Sequence, residues 1–82
     1  MLLNDPSVLN LIRLSTIAWD MGYALEDLKR YEEALAAFEQ AILLDPDYPD
    51  NHHSKGRVLN YLGRSIEAKK AYEKARQLGY KS

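Results

Sequence analysis

Seven positions of this chain return 34 residues later, and no other feature of the sequence constrains the fold as tightly. Gly22 recurs as Gly56, Leu25 as Leu59, Leu28 as Leu62 and Ala34 as Ala68. Phe38 returns as Tyr72, Ala41 as Ala75 and Leu44 as Leu78, so residue size is kept along with register. A period of this length marks one supersecondary unit that cannot bury its apolar face alone and must stack on a neighbour. The 82 residues hold two such units. A domain this small hides roughly 60% of its surface, which leaves little surplus over an ordering cost of about 1.5 kcal/mol per residue.

Between sparse prolines and glycines, apolar residues recur at three- and four-residue spacing, the helical period. The spacing predicts four helices, over 7–28, 31–44, 49–62 and 65–78. Asp5 is suited to cap the first and Pro6 to open it. Glu32 and Glu33 favour the positive end of the second, which Asp45-Pro46 stops. Gly63 and Gly79 suit left-handed residues closing the third and fourth, and Ser65 suits the N-cap of the fourth. Connections this short set neighbouring helices antiparallel. Gly22 and Gly56 fall in mid-helix, where glycine costs about 1 kcal/mol relative to alanine. The expected return is close approach of a partner helix. Ala34 and Ala41 bracket Phe38, and Ala68 and Ala75 bracket Tyr72, as a packing code for each helical hairpin.

The first copy reads Ala18-x-x-Met21-Gly22-x-x-Leu25, then Ala34, Phe38, Ala41 and Asp45-Pro46. The second reads His52-x-x-Lys55-Gly56-x-x-Leu59, then Ala68, Tyr72 and Ala75. This pattern resembles the tetratricopeptide repeat over about residues 15–80. The family's Trp-x-x-Leu-Gly-x-x-Tyr opening is degraded in both copies. Its Ala, Phe, Ala and Pro positions are intact in repeat one, while repeat two has Tyr80 in place of the final proline. The resemblance implies an all-α, right-handed superhelix of four antiparallel helices, stacked as two hairpins with an extended first helix. It divides one domain, 1–82, into an N-terminal segment and helix extension (1–14), repeat one (15–48) and repeat two (49–82).

The mismatches between the copies carry their own expectations. Leu35 and Ile42, on the face that meets the next repeat, become Lys69 and Arg76 in repeat two. A charged outer face is what a terminal repeat requires, so repeat two is expected to cap the array. The first helix is apolar around much of its girth through Val8, Leu9, Leu11, Ile12, Leu14, Ile17, Trp19 and Met21, more than the single stripe of a surface helix. Leu3-Asn4-Asp5-Pro6 also parallels Leu43-Leu44-Asp45-Pro46, at a spacing of 40 residues. Two readings follow. Either residues 1–14 fold back, or preceding helices of a longer protein cover this face; or the helix forms a homodimer through Val8, Leu11, Ile12 and Leu14.

In the family, the first helix of each repeat lines a concave groove that takes extended peptides or partner helices. The resemblance therefore implies a groove built from Thr16, Trp19, Tyr23 and Glu26 in repeat one, with Asp50, His53, Arg57, Asn60 and Tyr61 in repeat two. Stiff amphipathic aromatics and the directed donors of arginine are favoured at binding hot spots. The plainer reading of Trp19 is packing beneath the extended helix. Some family members clamp acidic chaperone tails with lysines, arginines and asparagines. That clamp needs a Lys and an Asn where this chain has Trp19 and Tyr23, and an Asn where it has Ser54, so the match fails. Asp20, Glu26 and Asp27 instead suit a partner with basic or aromatic side chains.

Other classes find less support. Eleven basic against twelve acidic residues give a formal charge of −1, which argues against nucleic acid or an anionic membrane as partner. No cysteine is present, so thiolate metal sites and disulfides are excluded. His52-His53 point in different directions on a helix, so no metal site is expected; His52 suits a packing slot and His53 the groove. No glycine-rich phosphate loop or helical His-x-x-x-His occurs, and no catalytic residue, cofactor or enzymatic activity is expected. Met1-Leu2-Leu3 lacks a basic region and a long apolar core, and no run is long enough to span a bilayer, so a cytoplasmic location is expected. Two functions stay open: a scaffold binding a partner protein's peptide or helix in the groove, and a homo-oligomerisation domain using the first helix.

Overall fold

The computed structural model describes residues 5–81, and across them the chain forms helices and turns only. The four helices are α1 (Pro6–Asp27), α2 (Tyr31–Leu44), α3 (Pro49–Tyr61) and α4 (Ser65–Gln77). They make two hairpins, α1 on α2 and α3 on α4, and the hairpins stack through α2 on α3. Residues 1–4, with the Leu3-Asn4 part of the Asp-Pro parallel and the opening Met1-Leu2-Leu3, lie outside the described residues.

Helix starts and stops follow local chemistry. The Ser7 N–H donates to the Asp5 carboxylate at 2.8 Å, and Pro6 supplies the first helical residue. The expectation that Ser65 caps α4 is corrected: Arg64 occupies the cap and Ser65 is the first helical residue. Arg30 holds the equivalent place before α2. Each arginine gives up side-chain capping and forks onto the glutamate three residues ahead, Glu33 or Glu67. Three helix ends share one closing motif. Lys29, Gly63 and Gly79 take φ of 60°, 75° and 105°, and the residue after each donates back to Leu25, Leu59 or Ala75 at 2.9 Å. This left-handed ending satisfies carbonyls that the last helical turn would leave open.

The mid-helix glycines are explained by aromatic rings rather than by backbone approach. A Cβ on Gly22 would lie 2.7 Å from Phe38, and one on Gly56 would lie 2.8 Å from Tyr72. Phe38 is fully buried between the buried Ala34 and Ala41, as the alanine bracketing predicts. Leu35 is buried with Val58 and Leu59 at the junction of the hairpins. Its counterpart Lys69, and Arg76, are exposed.

On α1, Leu9, Leu11, Ile12, Leu14, Ile17 and Met21 are 41–56% exposed, and Val8 is half-buried. Only Ser15 and Gly22 of this helix are fully buried, so most of its apolar girth faces outward.

Candidate protein-binding groove

The face shared by α1 and α3 is organised around one charge pair. Arg57 Nε and Nη2 donate to the two carboxylate oxygens of Glu26 at 2.6 and 2.8 Å, a fork that ties repeat two to repeat one. The Glu26 side chain is 10% exposed and that of Arg57 27%, so water screens the pair only in part. The guanidinium also lies 5.0 Å from the centre of the Tyr23 ring. These contacts, hydrogen bonding to Glu26 foremost, push the Arg57 pKa up, while burial opposes them. Two of its donors are therefore engaged on Glu26 within the chain.

Aromatic rings flank this pair. Trp19 meets Tyr23 edge-on at 4.5 Å, and Tyr23 meets Phe38 at 5.9 Å. On the repeat-two side His53 stacks on Tyr80 at 4.0 Å and lies 5.1 Å from Tyr72. Burial, and then the Arg57 charge, hold the His53 pKa below its usual value, with Asp50 pulling the other way. The Asn60 amide donates to the Tyr72 hydroxyl at 3.3 Å. Trp19, Tyr23, Glu26 and Arg57 thus form one contact network, and His53 and Asn60 meet at Tyr72 in a second. Tyr61 is part of neither network; its ring stacks on Tyr31 at 4.6 Å. His52 is buried with Nε2 2.7 Å from the Pro46 carbonyl oxygen, the packing slot expected of it.

At the end of this surface nearest the start of α3 lies a cavity of about 310 Å³. Ile12, Ser15, Thr16 and Trp19 come to it from α1, Asp45 and Tyr48 from the α2–α3 connection, and Asn51 from α3. Ser15 knots the three helices together: its hydroxyl donates to the Ala41 carbonyl at 3.0 Å and accepts from the Asn51 amide at 3.4 Å. The Trp19 indole N–H and the Asn51 Oδ1 are buried without partners. Sequence reasoning missed Asn51, yet a signal existed. The 34-residue register sets it against Ile17, so a polar side chain occupies an apolar position, and it is wholly buried there.

The tetratricopeptide-repeat family profile matches residues 13–82, and the chain belongs to that family. Repeats of this family mediate protein–protein interactions. The chain is 41% identical over 59 residues to the protein O-mannosyl-transferase Tmtc3 of Drosophila melanogaster. It matches the protein O-mannosyl-transferase TMTC3 of Mus musculus at 41% and that of Homo sapiens at 39%, over stretches of the same length. Each match takes in 72% of this chain but 6% of the relative.

Two expectations are thereby corrected. The expectation of no enzymatic activity is corrected by relatives that bear an enzyme's name, of which this match covers 6%. The cytoplasmic expectation is corrected as well: it rested on the lack of a leader and of a span, and neither assigns a compartment. No helix among the described residues is long and apolar enough to cross a membrane. Those residues also contain no cluster of three or more His, Asp or Glu able to hold a metal ion.

Proposed function

We propose that this chain is a protein-binding module whose concave face, from Trp19 and Tyr23 across to His53 and Asn60, takes an extended segment of a partner. The observation that carries this reading is the Arg57–Glu26 fork with Tyr23 packed against it. It fixes the two hairpins in relation to each other before a partner arrives, and such preorganisation lowers the ordering cost of binding. The aromatic rings on either side supply amphipathic contact area. A protein O-mannosyl-transferase acts on a protein, and holding an extended protein segment is the service a repeat module gives such an enzyme. Selection of peptides from a random library tests the reading, with the footprint of the selected peptides mapped by NMR. Signals of Tyr23, His53 and Asn60 are expected to move; a footprint confined to the outer side of α1 overturns it.

A second reading is favoured by the exposed Leu9, Leu11, Ile12, Leu14, Ile17 and Met21, an apolar surface broader than an isolated helix leaves in water. Here α1 pairs with a second copy. Sedimentation equilibrium of the chain and of a Leu11→Glu/Leu14→Glu variant separates the two: a concentration-dependent dimer lost in the variant supports pairing, and a strict monomer at high micromolar concentration removes it.

A further inference from the structure

We propose that the cavity between α1, the α2–α3 connection and α3 receives an arginine side chain of the bound partner. The inference rests on the groove reading above and adds the residue type that the groove anchors.

The argument comes from hydrogen-bonding capacity left over. Ser15 is occupied by the Ala41 carbonyl and Asn51, and the Thr16 hydroxyl by the Ile12 carbonyl at 3.1 Å. The Tyr48 hydroxyl donates to Asp50 at 3.0 Å. Among the residues that line the cavity, Asn51, itself 0% exposed, carries a side-chain oxygen without a partner, and Asp45 carries a carboxylate. Every ion pair among the described residues uses a glutamate, so Asp45 has no cation of its own there. The lining residues thus carry spare acceptors, one of them charged, and Asp47 and Asp50 lie close by in sequence to deepen the negative field. Two aromatic side chains, Trp19 and Tyr48, and the apolar Ile12 also line it.

Acceptors, negative charge and π faces together describe the site of a planar cation with several donors. Guanidinium meets all three demands, since it forks onto carboxylates and stacks on rings; an ammonium is a compact point charge that does not stack. The unpartnered Trp19 indole N–H suits a backbone carbonyl of the same segment. A volume of about 310 Å³ is at the small end for ligand pockets, the scale of a side chain rather than a cofactor. Both unpartnered atoms are closed to solvent, so seating the guanidinium requires the indole to shift. Leaving such groups unsatisfied in the interior is costly, and binding relieves that cost.

The test uses the full chain labelled with nitrogen-15, in which the one tryptophan gives a single indole N–H signal. It is titrated with Nα-acetyl-arginine methylamide and with the neutral isostere Nα-acetyl-citrulline methylamide. The Trp19 indole and Asn51 side-chain signals are expected to move saturably with the arginine compound, at an affinity at least about tenfold above that for citrulline. Asp45→Asn is expected to weaken arginine binding at least about fivefold with the thermal midpoint unchanged. Should that variant lose stability, Tyr48→Leu serves in its place with the same expectation. Signals that stay still, or equal response to citrulline, overturn the proposal. A library-selected peptide that moves Tyr23, His53 and Asn60 but leaves Trp19 and Asn51 still overturns the arginine site and keeps the groove. Arginine in the cavity with no peptide ever selected supports the site and overturns the groove.

Discussion

Lys29 is the clearest case of a residue held against its preference. It takes the left-handed turn that Gly63 takes 34 residues later, with φ of 60° against 75°. Left-handed backbone costs a residue with a Cβ about 1–2 kcal/mol, a penalty glycine escapes. Lys29→Gly is therefore expected to stabilise the chain by about 1 kcal/mol, read as a raised urea midpoint at constant slope. Gly22 and Gly56 present the opposite situation, where the empty Cβ position is the reason for the residue. Phe38 is fully buried and cannot retreat from a new methyl group 2.7 Å away, whereas Tyr72 is partly exposed and can. Gly22→Ala is expected to cost about 2 kcal/mol, and Gly56→Ala clearly less, in paired denaturation curves.

At the level of helices, the pairing of Arg57 with Glu26 ties one hairpin to the other, while the stacking of His53 on Tyr80 holds the second hairpin to itself. Removing Arg57 alone strands a carboxylate that is only 10% exposed, so Arg57→Ala is expected to cost about 3 kcal/mol. Combining it with Glu26→Gln should recover part of that loss, and a double-mutant cycle measures the coupling. The His53 pKa is depressed in the folded chain, so protonation favours unfolding. Stability is complete above the unfolded value near 6.5 and falls as pH drops through that value toward the folded one. Melts between pH 7.5 and 5 should show this decline, and His53→Phe should flatten it. The helices themselves were legible because proline, glycine and the apolar period are local signals. The Arg57–Glu26 contact was not. Glu26 stands 31 residues before Arg57, out of step with the 34-residue register, and nothing local in either segment marks the pair. The same holds for Arg64: a serine after an arginine reads as a cap until the guanidinium is seen to prefer Glu67.

Across the molecule as a whole, the two hairpins meet chiefly along α2 and α3, with the Arg57–Glu26 and Ser15–Asn51 contacts between α1 and α3 beside that seam. Leu35, 5% exposed, sits in that seam with Val58 and Leu59. In a linear array, stability is the sum of units and neighbour terms, and weakening the neighbour term uncouples the units. Leu35→Ala is expected to cost about 2–4 kcal/mol and also to broaden the urea transition, with circular dichroism and Trp19 fluorescence no longer coincident. The repeat register made this seam visible in the sequence, since Leu35 and Lys69 occupy the same place in the two units with opposite character. The arginine–glutamate fork crosses from one hairpin to the other and so acts as a strut in an arch. It sets the curvature of the inner surface. On the groove reading proposed above, a guest that gains contact by prising the hairpins apart must first break that strut, so shape is tested before chemistry.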